Sequence, residues 1–404
     1  MNEMGRRARR GAAILAVAPA EQRSAAIAAS ARALRAHASD ILAANAADVA
    51  AATSLVDRLR LDPARVEEIA ASLDEMAAMP DKIGEIMERW SRPNGLDISR
   101  IRTPIGVIGM IYESRPNVTG DAAAICLRSA NALILRPGSE ALRTCRAVHE
   151  AIAAGLAEAG LPADCVQIVP TSDRAAVGMM LSGLDGAIDL IIPRGGAALV
   201  ERVNREARVA TLGHLEGLCH SYVHESADPD MAIRIVTNAK MRRTSVCGAT
   251  ETLLIDRDIA PLLLPRLAVA LAGCELRGDA ESRLYAPIAA ADETDWRQEY
   301  LAPILAVRVV AGLDEAIDHI RRYGSGHTDA IICEDGATAE AFLAQVDSAI
   351  VIWNASTQFA DGGEFGFGAE IGIATGRLHA RGPVGAEQLT SFKYQIRGAG
   401  QARP

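Results

Sequence analysis

Cys247 lies in the polar stretch TSVCGAT, where a thiol could act as a nucleophile. It follows the helix-like segment AIRIVTNAKMRR and precedes the apolar run ETLLID, so it falls in a loop between a helix and a strand. Arg242 and Arg243 are nearby in the sequence, and positive charge eases formation of the thiolate, which is the reactive form. Free cysteine is also among the most buried residue types. Two readings are therefore open, a catalytic thiol and a small core residue.

Two glycine-containing loops could bind an anion. RPGSEA, with Arg136, Ser139 and Glu140, and PRGGAA, with Gly195 and Gly196, each follow a strand-like run and open a helix-like one. Free backbone N–H groups and the helix dipole favour an anion at such helix N-termini. The alternative is a pair of tight turns with solvated arginines. Two such loops in one sheet favour a phosphate-bearing ligand, although no G-x-G-x-x-G dinucleotide motif joins a strand to a helix.

The histidines and the other cysteines predict no metal site. His220 and His224 in HSYVH have a spacing that would place them on one face of a helix, but the segment reads as a strand. No Cys or His cluster in the sequence has zinc spacing. Five cysteines lie in periodic apolar segments, where burial is expected: Cys126, Cys145, Cys165, Cys274 and Cys333.

The surrounding elements alternate between strand and helix after a helical start that runs from Arg6 to about Met79. VIGMIY, ALILRP, VQIVP and DLIIP are apolar strand-like runs separated by helix-like segments. This pattern predicts a parallel sheet covered on both faces, which binds ligands at the carboxyl ends of its strands. A second alternating series begins after Gly217, and a long glycine-rich loop precedes the final strand, QLTSFKYQIRG.

Composition excludes several classes of function. The 404 residues carry a formal net charge of −9 at pH 7, which argues against a nucleic-acid partner, because phosphate contacts need clustered Lys and Arg. No run reaches the roughly 18 apolar residues of a membrane span, although RRARR followed by GAAILAVAPAEQ faintly imitates a secretory signal. Seven cysteines without framework spacing suit a reducing compartment. We therefore expect a cytoplasmic protein of two or three domains, with no membrane partner.

Four long stretches resemble one known family: TPIGVIGMIYESRPNVTGDAAAICLRSANALILRPGSEA, DLIIPRGGAALVERV, MRRTSVCGATETLLID and GFGAEIGIATGRLHARGPVGAEQLTSFKY. They are similar to the glutamate-5-semialdehyde dehydrogenase (γ-glutamyl-phosphate reductase) branch of the aldehyde dehydrogenase superfamily, and the similarity covers essentially the whole chain. The resemblance implies NADPH-dependent reduction of γ-glutamyl phosphate to glutamate 5-semialdehyde through a cysteine thioester, with release of phosphate, in proline synthesis from glutamate. It also implies a homo-oligomer with a functional link to glutamate 5-kinase.

The resemblance assigns roles to individual residues. Cys247 matches the nucleophile, and Asn117 in SRPNVTGD matches the amide that helps to hold the thiohemiacetal oxyanion. Arg136 matches a contact to the cofactor phosphate, and Glu299 in EYLAPILAV matches the glutamate that binds the nicotinamide ribose. For Asn117 the alternative is a cap in the turn after Pro116.

Candidates for binding the carboxylate or phosphate of the substrate are Arg115, His379 and Arg381. The chain departs from the family pattern in two places. RPGSEA lacks the second glycine and the lysine that are common in this branch, so a preference for NADP(H) is implied by the family and not by the loop. Hydrolytic relatives have a glutamate that activates water. In this sequence Glu216 is close to that position but does not align with it. Loss of that base suits a reaction in which phosphate must attack the thioester in the reverse direction.

The predicted architecture is an aldehyde-dehydrogenase-like α/β fold with three parts. Residues 1–95 and 104–216 form a cofactor-binding domain with a parallel sheet, residues 217–385 form an α/β catalytic domain, and residues 96–103 and 386–404 form a small oligomerisation ribbon. Two alternative functions stay open: an aldehyde dehydrogenase that hydrolyses its thioester to an acid, and a catalytically silent cofactor-binding or interaction protein.

Overall fold

A computed structural model describes residues 1–52 and 56–403. The chain forms two compact units. The first comprises Met1–Gly213, Gly366–Gly372 and Val384–Pro404, and the second comprises His214–Phe365 and Ile373–Pro383. Residues 366–372 thus belong to the first unit, whereas the sequence placed them in the catalytic domain. The predicted domain ranges also include residues 53–55 and 404, which lie outside the described residues.

Helices and strands are numbered along the chain. The helices are α1 (Asn2–Leu15), α2 (Ala20–Ala36), α3 (Ala38–Ala51), α4 (Val56–Leu59), α5 (Pro63–Ala78), α6 (Asn117–Arg128), α7 (Leu142–Glu158), α8 (Ala175–Leu181), α9 (Ala197–Glu206), α10 (Pro229–Met241), α11 (Ala260–Ala270), α12 (Leu313–Tyr323) and α13 (Gly336–Gln345). The strands are β1 (Ile86–Ser91), β2 (Asp97–Pro104), β3 (Val107–Tyr112), β4 (Ala132–Pro137), β5 (Val166–Ile168), β6 (Leu190–Arg194), β7 (Ala210–Thr211), β8 (Cys219–Val223), β9 (Thr250–Asp256), β10 (Glu275–Gly278), β11 (Ala289–Ala290), β12 (Ile304–Val310), β13 (Thr328–Ile332), β14 (Ile350–Trp353), β15 (Ile373–Ala374), β16 (Gly382–Pro383) and β17 (Thr390–Arg397). No helix in the described part of the chain is long and apolar enough to span a bilayer.

The first unit is built on a parallel sheet with the strand order β5-β4-β3-β6-β7. Strands β3 and β4 are buried along their whole length, as their continuous apolar sequences predicted. The chain runs outward from β3 to β5 and restarts at β6 on the other side of β3. This reversal creates a switch point between β3 and β6, and open α/β sheets bind ligands beyond the carboxyl ends of the strands at such a point.

A three-stranded antiparallel sheet with the order β1-β2-β17 also belongs to the first unit. The C-terminal strand pairs with β2, and β1, which sequence analysis missed, pairs with the other side of β2. Phe392, Tyr394 and Ile396 alternate along β17 and are exposed on one face. The edge strand of this sheet therefore carries an exposed apolar stripe.

The second unit contains a seven-stranded sheet with the order β11-β10-β12-β9-β8-β13-β14, and its neighbouring strands are all parallel. The central strands β8, β9 and β13 are buried throughout. Strands β15 and β16 form a short antiparallel pair within the predicted glycine-rich loop. Because the sheet is parallel, the amino ends of β12, β9, β8 and β13 lie side by side along one edge.

Candidate active site

The thiol of Cys247 lies in the loop before β9 and is partly buried, beside an apolar cluster of Ile350, Ala360 and Ile373. It is thus neither a fully buried core residue nor a freely solvated one. Partly exposed cysteines in polar surroundings are the reactive kind, whereas buried cysteines are inert. This placement satisfies the geometric requirement for a nucleophile that the sequence alone could not test.

The other cysteines follow the predictions with one correction. Cys126, Cys145, Cys165 and Cys333 are buried, as predicted. Cys274 is partly exposed, contrary to the prediction, because it lies in the turn between α11 and β10 and not inside either element. It therefore provides a second partly exposed thiol in the same unit as Cys247.

Two histidines that sequence analysis missed accompany Cys247. His214 precedes β8, and His327 immediately precedes β13. One ligand atom from each imidazole and the sulfur of Cys247 all lie within 4.8 Å of one another. The strand order brings the three side chains together. Strands β9, β8 and β13 are neighbours in a parallel sheet, so the loops before them lie next to one another. The spacing of these residues in the sequence could not predict this cluster, because only the order of the strands in the sheet brings the three side chains together.

Hydrogen bonds orient both imidazoles. Nδ1–H of His214 donates to the backbone oxygen of Ile373 at 2.6 Å, and Nδ1 of His327 hydrogen-bonds with Oγ1 of Thr328 at 2.9 Å. The two rings contact each other edge to face, with centroids 5.1 Å apart. Because a hydrogen bond at one ring nitrogen fixes the tautomer, Nε2 of His214 is the nitrogen that can accept a proton or bind a ligand.

The backbone of Cys247 is held by the segment that leads into β8. A Cβ atom added to Gly217 would lie 2.1 Å from the backbone oxygen of Cys247, so only glycine permits this approach. The thiol of Cys219 donates to the same oxygen at 3.1 Å. Burial raises the pKa of Cys219 well above its usual value, so this residue stays a thiol and keeps donating.

Glu299 lies before β12 and accepts a hydrogen bond at Oε1 from the N–H of Gly217, at 2.9 Å. Burial raises the pKa of its carboxyl group. Two residues later, the N–H of Leu301 donates to Glu251 at 3.3 Å, and Glu251 forms a buried ion pair with Lys240 at 2.5 Å. This ion pair fixes the loop that carries Glu299.

In the first unit, Glu140 supports the loop after β3. Oε1 of Glu140 accepts from both the N–H and the hydroxyl of Ser114, at 2.8 and 2.9 Å. Ser114 has a φ of 49°, a left-handed conformation that non-glycine residues rarely adopt. A Cβ atom at Gly138 would lie 2.1 Å from Oε1 of Glu140, so the glycine of RPGSEA leaves room for this carboxylate. Ser139 is exposed and begins the short 3-10 turn that leads into α7.

A carboxylate already occupies the glycine loop after β6. Oε2 of Glu113, at the end of β3, accepts from the N–H of Gly196 at 3.2 Å, at the start of α9. A Cβ atom at Gly195 would lie 2.5 Å from the same oxygen, whereas a Cβ atom at Gly196 would meet open space. The N–H of Gly196 at this helix start therefore contacts an internal carboxylate, and binding of a phosphate-bearing ligand here stays a prediction.

Arg136 lies at the end of β4 and is 8% exposed. Its Nη atoms donate to the backbone oxygens of Pro137 and Ser172, at 2.8 and 3.0 Å, and burial lowers its pKa. Its Nε is buried without a hydrogen-bond partner within the described residues. The carboxylates of Glu140 and Glu113 raise the pKa of Arg136, and Arg174 and Arg202 lower it by less, so this corner of the unit holds both carboxylates and arginines.

Asn117 is the first residue of α6, and its exposed side chain donates from Nδ2 to Oδ2 of Asp121 at 3.0 Å. Burial raises the pKa of Asp121 to about 6, against hydrogen bonds from Asn117 and Ser72 that lower it. The hydrogen bond uses one of the two amide N–H groups and leaves the other available. The predicted alternative, a cap after Pro116, is not seen, because Pro116 occupies the N-cap position and no side chain makes a capping hydrogen bond there.

The three substrate candidates fall in both units. Arg115 is partly buried between β3 and α6 in the first unit, and His379 is exposed in the second. Arg381 donates to the side chain and the backbone oxygen of Asp347, at 2.6 and 2.8 Å, and this contact lowers the pKa of the Asp347 carboxyl group. Nε of Arg381 is buried without a partner in the part of the chain that the structure describes.

Comparisons of sequence and structure with known proteins all indicate the same family. The model of the aldehyde dehydrogenase family matches residues 1–295. A Caulobacter vibrioides protein named gamma-glutamyl phosphate reductase is 63% identical over 413 aligned residues, covering 100% of both chains. The crystal structure of gamma-glutamyl phosphate reductase from Thermotoga maritima has a TM-score of 0.97 at 40% identity, covering 100% of this chain and 99% of that one. A glyceraldehyde-3-phosphate dehydrogenase from Methanocaldococcus jannaschii, complexed with NADP, has a TM-score of 0.70 at 15% identity over 98% and 93% of the chains, and shares the fold.

Proposed function

The chain belongs to the aldehyde dehydrogenase family, and from this premise we propose that it reduces γ-glutamyl phosphate to glutamate 5-semialdehyde with NADPH and releases phosphate. The observation that carries the proposal is the partly exposed Cys247 at the amino edge of the second sheet, with His214 and His327 beside its sulfur. The full-length identity of 63% to a protein named gamma-glutamyl phosphate reductase supports this choice of substrate. The reaction is the second step of proline biosynthesis from glutamate.

Cys247 forms the covalent intermediate. Its thiolate attacks the carbonyl carbon of the acyl phosphate, the carbon–sulfur bond forms, and the carbon–oxygen bond to phosphate breaks as phosphate leaves with the electron pair. The covalent route divides the reduction into two steps, displacement of phosphate by the thiolate and hydride transfer to the thioester, and each step is easier than direct reduction of the acyl phosphate. Gly217 and Cys219 hold the backbone oxygen of Cys247, so the thiol starts from one defined position.

NADPH, when bound, supplies the hydride that reduces the thioester. In the first unit the residues that would hold it are Gly195, Gly196, Arg136, Ser139 and Glu140, which follow β6 and β4. They lie at the carboxyl ends of the parallel strands, next to the switch point, where dinucleotides bind, and a cofactor phosphate at Gly196 would replace the carboxylate of Glu113.

The preference for NADPH over NADH rests on charge. The buried Nε of Arg136, which has no hydrogen-bond partner within the described residues, and the neighbouring Arg174 and Arg202 form an arginine-rich corner that also contains Glu140 and Glu113. This corner suits a phosphate group of the cofactor, and it compensates for the lysine that RPGSEA lacks. In the second unit, Glu299 binds the nicotinamide ribose, and the ion pair of Lys240 with Glu251 keeps its loop in place.

Asn117 and three candidate residues act on the substrate. The second N–H of the Asn117 amide donates to the oxyanion of the thiohemiacetal, while the first stays on Asp121. Collapse of that intermediate expels the Cys247 thiolate and releases the aldehyde. Arg115, His379 and Arg381 bind the carboxylate and phosphate groups of the substrate.

The enzyme forms a homo-oligomer through the edge of the antiparallel sheet. The stripe of Phe392, Tyr394 and Ile396 on β17 supports this, because an exposed apolar edge strand is a template for pairing with a second copy. Tyr394→Asp should therefore reduce the mass measured by light scattering.

We also propose a cytoplasmic location and a functional link to glutamate 5-kinase. The substrate is a reactive acyl phosphate, which a kinase acting on glutamate must supply. The seven cysteines, none of which is paired in a disulfide in the structure of residues 1–52 and 56–403, suit a reducing compartment.

Phosphate-dependent reduction of NADP⁺ with glutamate 5-semialdehyde tests the proposed function. The wild-type protein should reduce NADP⁺ only when phosphate is present, and Cys247→Ala should lose activity by at least about 10³-fold. Cys274→Ser is the matched control, because it removes the other partly exposed thiol of the same unit. Reduction without phosphate, yielding glutamate, would instead favour the hydrolytic alternative, and no activity with any aldehyde would favour the silent one.

A further inference from the structure

The proposed reaction requires the thiol of Cys247 but does not require the two imidazoles of His214 and His327 beside it. One sulfur and two imidazole nitrogens within 4.8 Å of one another are the ligands that zinc prefers. Around a tetrahedral Zn²⁺, with bonds of about 2.0–2.3 Å, such atoms lie about 3.5 Å apart. Small side-chain rotations would therefore bring the three residues from their present positions to metal-binding distance.

We propose that Cys247, His214 and His327 form a Zn²⁺ site with three protein ligands and one position open to water. Zinc bound to Cys247 would inhibit the enzyme, and this part of the proposal rests on the proposed function, in which Cys247 is the nucleophile. Zinc binding converts the thiol to a metal-bound thiolate and releases its proton to solvent. The sulfur lone pair that would attack the acyl phosphate is then shared with the metal.

The contacts around the imidazoles support a metal site. A histidine that binds a metal through one nitrogen usually donates from the other to a carbonyl or carboxylate oxygen. Nδ1–H of His214 donates to the backbone oxygen of Ile373, so Nε2 is the nitrogen of His214 that would bind the metal. Nδ1 of His327 hydrogen-bonds with a hydroxyl oxygen, Oγ1 of Thr328, and this contact also holds the ring in place. The rings are therefore oriented before a metal arrives, and binding costs little side-chain entropy.

The ligand set also selects the kind of metal. A thiolate with two imidazoles suits Zn²⁺ and its spectroscopic substitute Co²⁺, whereas Mg²⁺ and Ca²⁺ prefer oxygen ligands. With three protein ligands and the fourth position open to water, the site binds the metal reversibly. The consequence is a metal-dependent inhibition that chelators relieve and that a substrate bound to Cys247 prevents.

Titration with Co²⁺ tests the site without any assay of activity. Chelator-treated wild-type protein should bind one Co²⁺ per chain, with a thiolate-to-cobalt charge-transfer band and the strong visible bands of a tetrahedral ion, and Zn²⁺ should abolish both. Cys247→Ala should lose the charge-transfer band, His214→Ala should bind at least about tenfold more weakly, and Cys274→Ser should behave as wild type. Circular dichroism checks that each variant is folded.

The outcomes separate the zinc site from the enzyme activity. A wild-type protein that reduces NADP⁺ but gives no charge-transfer band, or a band that survives in Cys247→Ala, overturns the zinc site and leaves the proposed function intact. A Cys247-dependent band in a protein without reductase activity would support the site and contradict the function. With both present, micromolar Zn²⁺ should inhibit wild type reversibly, and inhibition that EDTA does not relieve would count against metal ligation.

Discussion

A Cβ atom on Gly217 would lie 2.1 Å from the backbone oxygen of Cys247, and the N–H of Gly217 donates to Glu299. One glycine therefore sets the position of both the nucleophile and the candidate ribose ligand. Gly217→Ala should lower kcat by about 100-fold, because a displacement of about 1 Å in a reacting group has this cost.

The control for this substitution is Gly336→Ala in α13 of the same unit. A Cβ atom at Gly336 would meet only Trp353, at 3.9 Å, so the substitution should leave kcat unchanged. Steady-state kinetics of phosphate-dependent NADP⁺ reduction gives the comparison. A Gly217→Ala enzyme within about threefold of wild type would show that the close contact does not position Cys247.

Asn117→Ala should lower kcat by about 10²–10³-fold and leave the dissociation constant of NADPH unchanged, because it removes a donor that acts only on the developing oxyanion. Asn94→Ala, an exposed amide in the turn between β1 and β2, is the control. If Asn117 serves only to begin α6, the substitution should instead lower the thermal midpoint slightly and leave kcat as it was.

Arg174→Ala should raise the KM for NADPH by about tenfold while the KM for NADH changes little, because a charged contact to the cofactor phosphate exists only with NADPH. Arg58→Ala on α4 controls for loss of an exposed arginine. Equal effects on both cofactors would mean that the arginines at this corner, Arg136, Arg174 and Arg202, do not select NADPH.

Asp121 makes stability depend on pH in a predictable direction. Burial raises its pKa from 3.8 to about 6 in the folded protein, near Asn117, Ser72 and Arg194. The folded state therefore binds a proton more readily than the unfolded state, and stability falls as pH rises from about 4 to about 6, by up to about 3 kcal/mol.

Asp121→Asn removes this ionisation. The thermal midpoint of the variant minus that of wild type should increase between pH 4 and pH 6.5 and then stay constant. Asp40→Asn, at an exposed position of α3, should show no such trend. A difference that is flat across this range would mean that Asp121 is not held at a raised pKa.

The sequence predicted the parallel sheets well because their strands are buried on both faces and read as continuous apolar runs, as in β3 and β4. Local rules suffice for such features because the residues that decide them are neighbours in the chain.

The histidines beside Cys247 could not be predicted in this way. His214 and His327 meet Cys247 because β8 lies between β9 and β13, and that order depends on long-range pairing. Strand β1 was missed for another reason, since IMERWS is largely exposed and has no buried apolar face. Cys274 was placed in the core because its neighbours are apolar, although a turn brings it toward solvent.

Mass spectrometry of the enzyme after a single turnover shows whether Cys247 carries a covalent glutamyl group. Incubation with glutamate 5-semialdehyde and NADP⁺ in the absence of phosphate should yield about one NADPH per active site and one glutamyl group, mapped to Cys247. Addition of phosphate should remove the glutamyl group and restart turnover. A burst of the same size in Cys247→Ala, or a wild-type enzyme that turns over without ever carrying the glutamyl group, would contradict the account.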